Sequence, residues 1–183
     1  MAFRNNNGFF RLYRIFFVIN CTTFVIAFVL CLLLPSEFGF MNHTLRTCSR
    51  EQSFFDALLK FWLWDIIPVC FVFLSGLTIY IPVISVSCSV FQGFVLALDV
   101  YAFFSNFSVF FAITMTFIRI CAMWMFIWYL SYISSSSVKI YTSQMPFIHA
   151  LNYVFVGKYI VWFTVFAFSA LLLDAAQCLM YRI

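Results

Sequence analysis

The chain has 183 residues, of which 66% are hydrophobic and only 9% are charged; its net charge is +4 and its mean hydropathy is +1.06. Soluble domains carry about 25% charged residues, so this composition all but excludes a water-soluble fold and leaves room for several membrane spans of about 20 residues each. The apolar runs do not alternate with polar residues, which disfavours a β-barrel, and the basic residues form no patch that predicts a nucleic-acid partner.

The first apolar run predicts a membrane span at about 15–34, closed by Pro35. Arg4, Arg11 and Arg14 precede this span, and the positive-inside rule therefore places the N-terminus in the cytoplasm. A cleaved secretory signal is the alternative. It is disfavoured because the apolar stretch is long and no small-x-small cleavage site follows it.

The stretch from 61 to 99 is almost entirely apolar, with an aspartate near each end. As one helix it would be nearly 60 Å long at about 1.5 Å per residue, whereas the hydrocarbon core is only about 30 Å thick. The chain must therefore fold back, and Pro82 is the expected corner. This predicts spans at about 57–80 and 83–104, with a pair of re-entrant half-helices as the alternative.

The remaining sequence predicts two more spans, at about 109–130 and 148–172, joined by a polar inner loop at 131–146. The whole chain, 1–183, is then a single integral membrane domain. The predicted fold class is an all-α, polytopic membrane helix bundle with about five transmembrane helices, multi-pass in the cell membrane and surrounded by the lipid bilayer.

Four charged residues lie in the outer halves of the predicted spans or, for the last of them, just past a span's outer end, and form a candidate intramembrane polar cluster: Asp65, Asp99, Arg119 and Asp174. Each costs roughly 2.5–3.5 kcal/mol at mid-span and so needs a reason. Asp99 and Arg119 lie on helices joined by a short turn, and arginine is long enough to reach the aspartate. One interpretation is a structural Asp99–Arg119 pair, with the other two acids reaching interface water. The other is a polar pocket for a substrate, a proton or a partner's segment.

Sequence patterns typical of enzymes are missing: there is no HExxH, no GxSxG and no glycine-rich phosphate loop. The seven cysteines lie mostly in apolar runs and show no metal-ligand spacing. The sequence therefore predicts a protein that is not an enzyme, with no catalytic residue, no metal ligand and no cofactor-binding residue.

The central segment "FLSGLTIYIPVISVSCSVFQGFVLAL" at 73–98 has Gly76 near a helix end, Pro82 at the corner and Gly93 in the following helix. These three are the predicted helix-packing residues, since small residues let neighbouring helices approach closely. The chain closes with "FSALLLDAAQCLMYRI" at 168–183. In these features and in its layout the chain resembles stage II sporulation protein M. The resemblance implies a non-enzymatic membrane scaffold of a Gram-positive bacterium. In engulfment during sporulation, that family anchors two peptidoglycan-degrading partners, stage II sporulation proteins D and P.

A transport subunit is the alternative function: a vitamin importer's substrate-binding membrane component, or the permease partner of an ATPase. Size, aromatic content and an outer polar pocket fit it equally well, although the loop at 131–146 is nearly uncharged and makes a poor coupling surface. The sequence leaves open the identity of the partner, any transported ligand and the oligomeric state.

Overall fold

A computed structural model describes residues 6–34, 53–76, 78, 80–142 and 158–180. Every element within these ranges is a helix, which confirms the predicted all-α class. The helices are α1 (Asn6–Leu33), α2 (Phe54–Ser75), α3 (Ile81–Asn106), α4 (Val109–Thr142) and α5 (Lys158–Met180).

Most of these helices have the length and composition of membrane spans. Among the described residues, four stretches are long and apolar enough to cross a bilayer: Gly8–Leu33, Phe54–Ser75, Ile81–Ser105 and Val109–Thr142. A shorter apolar stretch, Phe163–Ala176, lies in α5. Many large hydrophobic side chains point outward from the bundle, among them Phe55, Phe110, Phe117 and Phe168. The chain is a membrane protein with several apolar helices.

Contacts among α1, α3 and α4 give the relative directions of these helices. Asn20 contacts Ser85, and further along both helices Cys31 packs against Leu98, so α1 and α3 run in the same direction. Aromatic pairs between α1 and α4 run in opposite order, Phe17 with Trp124 and then Tyr13 with Trp128. Helix α4 is therefore antiparallel to α1 and α3.

Helices α2 and α5 form the other side of the bundle and are also antiparallel. Ala57 near the start of α2 packs against Cys178 near the end of α5, and the Trp62 indole N–H donates to the Ala167 carbonyl at 3.1 Å. Helix α5 is antiparallel to α4 as well, since the Phe126 ring contacts the Phe166 ring while Arg119 contacts Asp174. Each helix thus reverses the direction of the one before it, as successive membrane crossings require.

The corner between α2 and α3 lies slightly earlier than the sequence predicts. Helix α2 ends at Ser75, not at residue 80, and the Thr78 backbone N–H donates to the Ser75 carbonyl. Pro82 lies in the first turn of α3, where its missing N–H leaves no helical hydrogen bond unmade. Both helices are long enough to cross the membrane, which favours two crossings over re-entrant half-helices.

The predicted inner loop at 131–146 is wrong over its first part, because α4 continues as a helix to Thr142. Ser131 donates to the Ile127 carbonyl at 2.7 Å and Ser135 donates to the Ser131 carbonyl at 2.6 Å, so these hydroxyls are satisfied within the helix. The serines are also buried, since their small side chains let neighbouring helices approach closely. The serine-rich start of the predicted loop is therefore a helical surface that packs against neighbouring helices.

The fifth helix also differs from its predicted boundaries. Its described part begins at Lys158 and continues to Met180, eight residues past the predicted end at 172. Residues 143–157 and Pro35 lie outside the described residues. The predicted end of the loop at 146, the start of the last span at 148 and the closing of the first span at Pro35 therefore stay predictions. The later end of α5 matters for the site, since it moves Asp174 from the rim of the bundle into the helix.

Candidate intramembrane charge cluster

The four ionisable residues singled out from the sequence come from four different helices and meet inside the bundle. Asp65 lies on α2, Asp99 on α3, Arg119 on α4 and Asp174 on α5. Asp65 and Arg119 are 2% exposed, and Asp99 and Asp174 are 0% exposed. We call these four residues the Arg–Asp cluster.

Arg119 is the centre of this cluster. Its Nη1 donates to Asp65 Oδ2 at 2.5 Å and its Nη2 donates to Asp174 Oδ1 at 2.6 Å. Its Nε lies 3.4 Å from Asp99 Oδ2. A guanidinium presents five N–H donors in a planar fork, so one arginine can face three carboxylates at once, which a lysine ammonium would not do with the same geometry.

The cluster lies toward one end of the bundle. Asp65 and Arg119 follow the starts of α2 and α4, and Asp99 and Asp174 precede the ends of α3 and α5. At 1.5 Å per residue the four lie about 9 to 17 Å along their helices from that end. A group of buried apolar residues covers the helix ends next to the cluster: Phe103, Ala112 and Met115.

The cluster contains more acidic groups than basic ones. Fully ionised, the three carboxylates and one guanidinium carry a net charge of −2 in a region with little water. Burying an unbalanced charge is far more costly than burying a matched pair. One carboxylate would suffice to neutralise Arg119, so the two further acids exceed what a simple structural ion pair requires.

The structure differs from the interpretation of a simple Asp99–Arg119 pair. That contact exists, but at 3.4 Å it is longer than the contacts to Asp65 and Asp174. Those two acids do not reach toward interface water, because both are buried against Arg119. The sequence did not predict the contacts of Asp65 and Asp174 with Arg119, because Asp174 was placed past the end of its predicted span. In addition, the depth of a residue in the membrane does not reveal which helix faces contact each other.

A second buried polar group was not recognised from the sequence. The Ser85 hydroxyl donates to Asn20 Oδ1 at 2.9 Å, and Asn20 Nδ2 donates to Ser131 Oγ at 3.3 Å, joining α1, α3 and α4. All three side chains are buried. The available signal was Asn20 itself, an amide in the middle of an apolar run, which needs partners when no water is present.

The three residues proposed for helix packing take different positions. Gly93 lies at the crossing of α3 with α1, where an added Cβ would lie 2.5 Å from the Phe24 carbonyl oxygen. Gly76 lies at the end of α2, where an added Cβ would meet the Ile133 side chain at 3.1 Å. Pro82 is in the first turn of α3. Gly93 is therefore a close-contact position between helices.

The cluster is not arranged as a metal site. Across the part of the chain that the structure describes, no group of three His, Cys, Asp or Glu side chains is placed to hold a metal ion. Within the cluster, the Arg119 guanidinium contacts all three carboxylates.

No protein-family model, no curated protein and no solved structure matches the chain. The fold and the cluster together define the class: a multi-span, all-helical membrane protein with a buried arginine that joins three carboxylates.

Proposed function

We propose that the chain is a non-enzymatic scaffold of the cell membrane, which holds other membrane or cell-wall proteins in place. The observation that carries this proposal is the way Arg119 ties together α2, α3, α4 and α5. A bundle whose helices are joined through one buried arginine is a fixed platform. The four residues of the cluster are buried, and the outward-facing surface of the helices carries many large hydrophobic side chains that can contact neighbouring helices.

The resemblance to stage II sporulation protein M supports peptidoglycan-degrading proteins or their anchors as the partners, with roles in sporulation and engulfment. The glycines and the proline that carry the resemblance occupy defined positions: a helix end, a first turn and a close helix crossing. Under this proposal the scaffold meets its partners within the membrane through helix packing.

A groove between α2 and α3 is a suitable place for that contact. It encloses about 350 Å³ and its lining is almost wholly apolar: Ile67, Pro68, Phe71, Ile84, Ser87, Cys88 and Phe91. Phe71 and Ile67 are largely exposed beside it, so the groove opens toward lipid. We propose that side chains of a partner's transmembrane helix occupy it.

Site-specific photo-crosslinking in the native host tests the scaffold proposal. A photoreactive residue replaces Phe71, which is 57% exposed in the groove. The matched control replaces Ile26, which is 53% exposed on α1 and outside the groove. We expect the Phe71 position to yield adducts with a cell-wall hydrolase or its membrane anchor, and the Ile26 position to yield lipid adducts. The same products at both positions, or lipid alone at both, would contradict the proposal.

A membrane subunit of a small-molecule transporter is the second candidate, and the two surplus carboxylates of the Arg–Asp cluster favour it. Ionisable side chains inside membrane bundles commonly mark ion or substrate pathways. Co-purification in mild detergent separates the two candidates. A cytoplasmic ATPase bound to the tagged chain would support the transporter, whereas cell-wall proteins would support the scaffold.

We further propose that the N-terminus is cytoplasmic, which puts the turn between α3 and α4 outside and the corner between α2 and α3 inside. Ser108 and Thr78 are exposed residues at these two opposite ends of the bundle. In a Cys48→Ser background, an impermeant thiol reagent added to intact cells should label Ser108→Cys and leave Thr78→Cys unlabelled. Labelling of Thr78→Cys but not of Ser108→Cys would show that the protein has the opposite orientation in the membrane.

A further inference from the structure

Helix α3 carries a polar residue every seven positions on its buried face: Ser85, Gln92 and Asp99. All three are at most 1% exposed. Seven residues are almost two helical turns, so residues at this spacing share one face and lie about 10 Å apart. Gln92 therefore lies midway between the Asn20–Ser85–Ser131 group and the Arg–Asp cluster.

Among the described residues, none forms a hydrogen bond with the side-chain amide of Gln92. Neither its Nε2 nor its Oε1 bonds to any described residue, although the side chain is buried at 1% exposure. A glutamine amide offers two donors and an acceptor, and leaving them unmade inside a membrane bundle carries a large free-energy cost. Ordered water is the usual partner of such a group.

The polar residues continue beyond Ser85 to the other end of the bundle. Ser134 and Ser136 on α4 are buried, and their hydroxyls bond to no described residue. Ser137 donates to the Thr78 carbonyl at 3.1 Å, at the exposed corner between α2 and α3. Polar side chains thus extend from that corner to the cluster, whereas the opposite side of the cluster is closed by buried apolar residues.

We infer that this polar line, which comprises Asn20, Ser85, Gln92, Ser131 and the serines at 134–137, is hydrated and admits protons to the Arg–Asp cluster from one side only. The cluster is then a proton-binding site at the blind end of an internal path. This inference is independent of the scaffold proposal, because it concerns the interior of the bundle and not its lipid-facing surface.

The chemistry is reversible proton binding with no redox step. A water molecule in the polar line transfers a proton to a carboxylate of the cluster, so that one O–H bond breaks in the water and one forms on the carboxylate. Bulk water then returns a proton to the water molecule in the line. Each bound proton raises the net charge of the cluster by one, from −2 toward zero. The groups that face Arg119 from the helices packed against α4 are Asp65, Asp99 and Asp174, one from each of α2, α3 and α5.

Infrared spectroscopy of the purified protein in lipid nanodiscs tests this inference. At neutral pH we expect a C=O band of a buried, protonated carboxylic acid, which disappears in at least one of Asp65→Asn, Asp99→Asn and Asp174→Asn. On transfer to D₂O the band should shift promptly in the unsubstituted protein. In Gln92→Leu the shift should be slower by about tenfold or more, because the chain of hydrogen bonds is interrupted at its middle.

Two further variants make the result specific. Gln92→Met keeps the length of the side chain without its polar atoms and should slow the shift as Gln92→Leu does. Ser105→Leu changes an exposed position on the same helix, outside both the groove and the polar line, and should leave the rate unchanged. The inference is overturned by the absence of any protonated carboxyl band, or by equal rates in all variants. If neither Gln92 variant folds, a band in the unsubstituted protein that resists D₂O exchange overturns it by itself.

Discussion

Arg119→Gln is expected to remove most of the folded protein, because it leaves three buried aspartates without their common counter-charge. Breaking a buried ion pair by deleting one partner typically costs about 3–5 kcal/mol, and here one deletion removes the contacts of Asp65, Asp99 and Asp174 together. The measurement is the fraction of monodisperse protein on size-exclusion chromatography, with the thermal midpoint in the same detergent.

Lys139→Gln is the matched control for this loss. Lys139 is a cation on the same helix, in its last turn, where its ammonium lies 5.4 Å from the centre of the Phe9 ring. Such a contact at a partly exposed site is worth only about 0.5–1 kcal/mol, so the folded yield should change little. Equal losses from Arg119→Gln and Lys139→Gln would show that the Arg–Asp cluster does not hold the bundle together.

The aspartates should respond in a graded way to amide substitution. Asp99 makes the longest contact with Arg119, and Asp99→Asn removes one surplus negative charge while Asp65 and Asp174 still neutralise the guanidinium. Folded yield should therefore stay near that of the unsubstituted protein, and be clearly lower for Asp65→Asn. A simple Asp99–Arg119 pair predicts the reverse order, in which Asp99→Asn lowers the folded yield more than Asp65→Asn does.

The sequence alone predicts the helices and the members of the cluster for one physical reason, the cost of polar groups in hydrocarbon. A run as long as 61–99 must fold back, because it is longer than the membrane is thick. A charge such as Arg119 must find partners, because the surrounding hydrocarbon does not solvate it. These arguments need only lengths and residue types, and so they lead to an all-α bundle with a short set of candidate residues.

The geometry of the cluster could not be predicted in this way, because it depends on which helix faces point at one another. Asp174 was placed at the rim because the apolar run appeared to end at 172, whereas α5 continues to Met180. The serines of α4 read as a loop because composition does not reveal that Ser131 and Ser135 bond to their own helix. The burial of these serines and the contact of Asp174 with Arg119 follow from tertiary packing, which overrides local composition.

Gly93→Leu is expected to separate α1 from α3, because Gly93 lies where the two helices cross. An added Cβ would lie 2.5 Å from the Phe24 carbonyl oxygen and 3.2 Å from the Phe28 amide nitrogen. Both are backbone atoms of α1, so no side-chain rotation relieves the clash and the helix itself must move. Overpacking commonly costs about 1–3 kcal/mol and occasionally more, and a leucine against a helix backbone belongs at or above the upper end of that range.

A disulfide between α1 and α3 reports this separation directly. Cys31 and Ala97 belong to one buried cluster between α1 and α3, so Ala97→Cys should form a disulfide with Cys31 on oxidation. A protease site introduced between α1 and α2 then allows a denaturing gel to show whether the two helices are linked. Adding Gly93→Leu should abolish the link, whereas adding Gly76→Ala should preserve it, since the nearest atom there is the end of the Ile133 side chain. A link that forms equally well with Gly93→Leu would mean that the α1 backbone does not pass as close to Gly93 as this crossing requires. Loss of the link with Gly93→Leu, but not with Gly76→Ala, would show that the approach of α1 to α3, on which the Asn20–Ser85 hydrogen bond also depends, requires a glycine at position 93.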